Sequence, residues 1–283
     1  MMGERNKWLV DTEWLEAHLD SPDVVVVDGS WHMPAEERDP EAEYNAEHIP
    51  GSVFFDLDGI ADLTTDLPHM LPTSEAFAKA VEQLGISNGK TIIIYDVAGI
   101  RTAPRIWWTF RIMGVEDVYI LDGGLPKWKA EGRPVTDETT IITKGKFAAR
   151  FDRGAVCNHA EMLRAIDIPD VEVVDARSNG RWRGTDPEPR PGLSSGRMPG
   201  SKNVPFVGLI DESGCLKDTE VMRQQFLDAG VDLSKRIITS CGSGVTAAVL
   251  TLALDTIGVK SLGLYDGSWT EWASREDSII ERD

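Results

Sequence analysis

The second half of this 283-residue chain repeats the first, at a spacing of about 145 residues. Val24-Val25-Val26-Val27-Asp28 is matched by Val171-Glu172-Val173-Val174-Asp175, and His48-Ile49-Pro50-Gly51-Ser52 by Arg197-Met198-Pro199-Gly200-Ser201. Ile92-Ile93-Ile94-Tyr95-Asp96 is matched by Arg236-Ile237-Ile238-Thr239-Ser240, and Thr102-Ala103 by Thr246-Ala247. Tyr119-Ile120-Leu121-Asp122-Gly123-Gly124 answers to Leu262-Gly263-Leu264-Tyr265-Asp266-Gly267, and Trp128 to Trp272. Each copy must therefore close its own core within the ordinary size of one domain. The expected boundaries are residues 1–134 for the first domain, 135–155 for a linker and 156–283 for the second domain.

Within each copy, short apolar β-branched runs (24–27, 92–95, 171–174 and 236–239) read as strands buried on both faces. Amphipathic segments lie between them. One runs from Ser74 to Gly85, with Ser74 as a candidate cap and a glycine at its end, the usual helix signals. Alternating strands and helices predict an α/β fold: two tandem domains, each a mostly parallel sheet flanked by helices on both faces. Residues 180–200, dense in Pro, Gly and Arg, read as a long loop of the kind that carries function.

Charge narrows the partners. Lys and Arg number 29 against 47 Asp and Glu, a net charge of −18. Phosphate backbones and anionic membrane surfaces are held by clustered cations, so neither nucleic acid nor membrane is an expected partner. No run approaches the ~18 apolar residues of a membrane span, and the amino-terminal stretch lacks the apolar core of a signal peptide. Cys157, Cys215 and Cys241 are too few and too scattered for a disulfide framework. His18, His32, His48 and His159 form no ligand-spaced cluster, so no metal and no cofactor is expected. A reduced, cytoplasmic protein is the natural reading.

Chemistry concentrates in Ser240-Cys241-Gly242-Ser243-Gly244-Val245-Thr246-Ala247, which follows a buried strand and opens a helix expected over 247–257. A cysteine at the carboxyl end of a parallel strand sits where open α/β sheets bind ligands. Small residues after it let backbone N–H groups curl around an anionic sulfur at a helix N-terminus. The helix dipole contributes typically ~0.3–1 and at most ~2 kcal/mol, so loop amides must carry much of the stabilisation. Cys157 and Cys215 lack such a loop and are expected to be spare thiols. The first copy has Asp96-Val97-Ala98-Gly99-Ile100-Arg101 here, with no cysteine, and is expected not to carry sulfur. Trp107-Trp108 reads as packing.

The duplication, with Cys-Gly-Ser-Gly-Val-Thr in the second copy only, resembles the tandem-domain rhodanese-type sulfurtransferases over nearly the whole chain. Ala103-Pro104-Arg105-Ile106-Trp107-Trp108 and Tyr265-Asp266-Gly267-Ser268-Trp269 share in the likeness. Thiosulfate-using relatives carry basic residues where this chain has Gly242 and Ser243, so it is most similar to the branch that takes 3-mercaptopyruvate. The resemblance implies two tandem rhodanese-like domains, with Cys241 as the sulfur-carrying nucleophile. It implies that Arg181 and Arg190 clamp the substrate carboxylate and carbonyl, a task suited to the planar guanidinium fork. Gly242, Gly244, Val245 and Thr246 complete the implied binding loop, and Ser243, His69 and Asp58 the implied proton relay. Arg183, two residues from Arg181, is the expected bystander. The implied partners are 3-mercaptopyruvate and a thiol acceptor such as a thioredoxin-like protein.

Four alternatives stand beside this. Thiosulfate as donor remains within the same family. Gly242-x-Gly244-x-x-Ala247 with Asp266 fits a dinucleotide fingerprint, but the first copy lacks it. A cysteine phosphatase needs an Arg shortly after its Cys to bind phosphate, and none follows Cys241. A passive persulfide carrier has no use for an arginine pair that recognises a carboxylate.

Overall fold

The β-branched runs form strands whose successive buried side chains, such as Val26 and Val27 or Ile92, Ile93 and Ile94, project to both faces, so the sheet is covered on both. The computed structural model describes residues 7–283. In the first copy the order is β1 (Leu9–Val10), α1 (Thr12–His18), β2 (Val24–Asp28), α2 (Pro40–Ala46), β3 (Val53–Phe54), α3 (Ser74–Gln83), β4 (Thr91–Tyr95), α4 (Ala103–Ile112), β5 (Val118–Leu121) and α5 (Gly124–Ala130). The second copy runs β6 (Val156–Cys157), α6 (His159–Ala165), β7 (Val171–Asp175), α7 (Asn179–Arg183), β8 (Lys202–Asn203), α8 (Thr219–Asp228), β9 (Arg236–Ser240), α9 (Ala247–Thr256), β10 (Leu262–Tyr265) and α10 (Ser268–Ser274).

The sheets are ordered β1-β5-β4-β2-β3 and β6-β10-β9-β7-β8, with every pairing parallel. In each, the chain leaves the second strand on one side and returns on the other. The strand order therefore reverses between β2 and β4, and between β7 and β9, the switch point at which such sheets open a crevice. Register corrects the match between copies by one residue. Asp28 pairs with Tyr95 while Asp175 pairs with Ser240, so Tyr95, not Asp96, is the counterpart of Ser240, and Asp96, not Val97, is that of Cys241.

Two compact units result. One takes in residues up to 63, 71–152 and 211–216; the other takes in 64–70, 153–210 and 217–283. In the first, Val26, Ile93, Leu121, Leu125 and Trp128 pack on one face of the sheet. In the second, Val173, Ile238, Tyr265, Trp269 and Trp272 do the same. Trp107 and Trp108 are buried in α4 as packing residues. α3 is capped one residue earlier than the sequence suggests, because the Thr73 side chain accepts from Ala76 N. Of residues 135–155, suggested as linker, those up to 152 belong to the first unit and 153–155 to the second. In the first unit Gly145 N donates to Glu82 O, and Phe147 packs edge-on against Phe77 and Phe110. Among the described residues no helix is long and apolar enough to cross a membrane.

Candidate functional site

Cys241 follows β9 at the switch point of the second sheet and is 1% exposed. The loop it opens is pinned from α10. Cys241 N donates to Ser268 Oγ (3.1 Å), Trp269 N donates to Cys241 O (2.9 Å), and Thr270 N donates to Gly242 O (2.9 Å). Gly244 turns the loop with φ +79°, a left-handed conformation that costs glycine nothing. Val245 is buried behind it, and Thr246 is the cap residue from which the ten-residue α9 starts. Anionic sulfur here would sit on the positive end of that helix.

The first copy shows what such a loop holds. Asp96 sits at the position of Cys241 and turns its carboxylate into the loop that follows. Oδ2 accepts from the backbone N of Arg101 (2.9 Å), Thr102 (2.8 Å) and Ala103 (2.9 Å), and Oδ1 from Ala98 N (2.8 Å). A strand–loop–α4 turn of the same design thus closes around a built-in anion, leaving no place for a sulfur nucleophile.

Arg181 and Arg190 come from the segment after β7 and reach the cysteine loop. A Cβ added at Gly242 would lie 3.2 Å from Arg181 Nη2 and 3.9 Å from Arg190 Nη1. The 180–200 segment is not all loop: α7 occupies its start and ends at Gly184, φ +87°. Arg183 projects away from this convergence and pairs with Asp283, both well exposed.

Beneath the arginines lies a row of buried charges that sequence reasoning missed. Arg177 is fully buried and bonds Asp175 through Nε (3.0 Å) and Nη2 (2.7 Å) to Oδ2. It also donates to Gly196 O (2.6 Å) and to Glu188 Oε1 (2.7 Å). Its guanidinium lies 4.0 Å from the Trp269 ring centre. Glu188, with a side chain 2% exposed, then accepts from Arg181 Nε (3.2 Å) and Nη2 (2.5 Å). The only signal in the sequence was a carboxylate between two prolines, seven residues after Arg181.

His69 and Ser243 are brought together. Both are buried, and His69 Nδ1 is 3.0 Å from Ser243 Oγ. His69 adopts φ +60°, a region non-glycine residues enter at a cost of about 1–3 kcal/mol and mostly at functional sites. Asp58 lies in the first unit, where it accepts from Trp31 Nε1 (2.8 Å). Burial raises the pKa of Cys157 and of Cys215, which keeps them thiols and poor nucleophiles. No cluster of three or more His, Cys, Asp or Glu that could hold a metal occurs among the described residues.

Residues 11–131 and 158–275 each match the family Rhodanese, described as a rhodanese-like domain. The chain is 42% identical to the 3-mercaptopyruvate sulfurtransferase of Escherichia coli, over 97% of this chain and 98% of that protein. It is 41% identical to the mitochondrial thiosulfate/3-mercaptopyruvate sulfurtransferase 1 of Arabidopsis thaliana, over 96% of this chain and 78% of that protein. The crystal structure of SseA from Escherichia coli superposes with a TM-score of 0.86 at 40% identity, covering 93% of this chain and 98% of that one. Two matched segments, two parallel sheets of one strand order and a bacterial relative alike over nearly its whole length make the chain a member of the rhodanese family with its domain in tandem.

Proposed function

We propose that this protein is a sulfurtransferase that takes the sulfur of 3-mercaptopyruvate onto Cys241 and passes it to a thiol, releasing pyruvate. The observation that carries the reading is the convergence of two guanidinium groups on Gly242, beside a cysteine at the mouth of a switch-point loop. Arg181 and Arg190 hold the carboxylate and carbonyl, which aims the substrate thiol at Cys241. The Cys241 thiolate attacks that sulfur; the new S–S bond forms as the C–S bond breaks. The electron pair departs on the three-carbon fragment as pyruvate enolate, whose carbonyl delocalises the charge. The proton of the former substrate thiol then reaches the enolate carbon, giving pyruvate and a Cys241 persulfide anion held by the loop amides. Ser243 and His69 carry that proton, with Asp58 as the carboxylate of the relay. An acceptor thiolate attacks the outer sulfur and restores the Cys241 thiolate. The acceptor is a thioredoxin-like protein or a small thiol, and the setting is the reducing cytoplasm, consistent with three unpaired cysteines.

Intact mass and pyruvate release after mixing with 3-mercaptopyruvate test the reading. One extra sulfur on the peptide containing Cys241, lost in Cys241→Ser and retained in Cys157→Ser and Cys215→Ser, is expected. Sulfur on Cys157 or Cys215 would overturn the assignment. Thiosulfate is the second donor to compare, because one relative is named for both donors and the arginine pair places two cations beside the loop. A higher kcat/KM for thiosulfate would refute the donor and leave the sulfurtransferase standing.

A further inference from the structure

Arg181 stands on a short helix at the head of a loop, and its long side chain has many rotamers, so its placement over Gly242 needs a cause. Its Nε–Nη2 edge is taken by a carboxylate that is itself almost wholly buried, Glu188. That carboxylate is fixed in turn by Arg177, which is tied to Asp175 at the end of β7 and lies against Trp269 of α10. A continuous row of charge-assisted hydrogen bonds therefore runs from the rigid sheet to the Nη2 atom beside the cysteine loop. A carboxylate placed on one edge of a guanidinium leaves the Nη1–Nη2 edge for a second carboxylate.

We propose that Glu188 is a positioning residue: it fixes the Arg181 guanidinium so that the Nη1–Nη2 edge meets the substrate carboxylate. Glu188 does not touch the substrate; it acts through Arg181. It shares Arg177 and Arg181 as partners, and so spends none of its negative charge toward Gly242. Without it, Arg181 keeps its charge and loses its orientation. The defect then belongs to substrate binding and not to the sulfur transfer itself. The inference rests on Arg181 as the carboxylate clamp proposed above.

The test is a two-by-two set of variants: wild type, Glu188→Gln, Arg181→Ala and the double substitution. Each is assayed for pyruvate release across 3-mercaptopyruvate concentrations, with melting temperature recorded. Glu188→Gln should raise KM about tenfold while kcat stays within about twofold. In the Arg181→Ala background the same substitution should change KM less than about twofold, because the group it positions is gone. Equal effects of Glu188→Gln in both backgrounds would show a general structural role and overturn the assignment. Arg181→Ala with an unchanged KM would overturn the clamp itself, and this inference with it. A raised KM in Arg181→Ala with none in Glu188→Gln would overturn Glu188 alone. Should the Gln variant not fold, Glu188→Asp is read in the same set, since it keeps the charge and shifts it by one methylene.

Discussion

A methyl group on Gly242 would stand 3.2 Å from Arg181 Nη2, closer than nine in ten such contacts, so the bare backbone there is a steric requirement. The neighbour is the far end of a flexible side chain, so the fold survives and the arginine yields. Gly242→Ala should therefore raise KM for 3-mercaptopyruvate at least threefold, on the order of 0.7 kcal/mol, with melting temperature within about two degrees. Steady-state kinetics beside a thermal melt check this; a melting drop with unchanged KM would place the glycine in the fold and not in the site. The same geometry qualifies the sequence argument about donors. Gly242 and Ser243 bring no charge themselves, yet two cations arrive from the 181–190 segment. Cys241 stood out because small residues between a buried strand and a helix are a local pattern, whereas Arg181 and Arg190 were singled out by the family resemblance alone. Glu188 did not stand out, because its bonds to Arg177 and Arg181 form only once the segment closes in space.

At the scale of an element, the turns after β4 and β9 are one design with two occupants. Asp96 gathers four backbone N–H groups at 2.8–2.9 Å, all in a buried or half-buried turn. Removing its carboxylate strands those donors, at about 1–3 kcal/mol for each that water cannot reach. Asp96→Ala should cost at least about 3 kcal/mol in urea unfolding. Cys241→Ala should cost distinctly less, because its side chain is not the acceptor that organises the turn. Equal losses would mean that Asp96 is ordinary packing. The strands β2, β4, β7 and β9 were readable within one residue, since β-branched runs buried on both faces have no alternative. The one-residue slip in matching Asp96 to Ser240 arose because the first copy's turn is one residue longer before Thr102 than the second's before Thr246. Such a difference is invisible until register fixes both ends.

Across the whole molecule, the units follow contacts more than chain order: residues 64–70 belong with the second copy, where His69 meets Ser243. Residue patterns along the chain do not show this, and the pairing of His69 with Ser243 was expected only from the family resemblance, because side chains far apart in sequence decide which unit a loop joins. The two copies also treat one shared feature differently, the aspartate that ends the second strand of each copy, β2 and β7. Asp175 is neutralised by the buried Arg177 two residues on. Asp28 has Ser30 at that place, and burial pushes its carboxyl up to about 6 against an ordinary 3.8. The sign of the consequence is set by proton binding. Between those two pH values the folded chain holds a proton that the unfolded chain has released, so stability falls as pH rises through that window. A shift of this size corresponds to about 3 kcal/mol, present in full below pH 3.8 and lost above about 6. The net charge of −18 also opposes folding as pH rises, so the single group must be isolated. Asp28→Asn, which keeps the shape of the neutral acid, does this. Its advantage over the wild type in urea unfolding should be near zero at pH 4 and grow to about 3 kcal/mol by pH 7. Parallel stability curves for the two proteins across that range would show that Asp28 is not the group responsible.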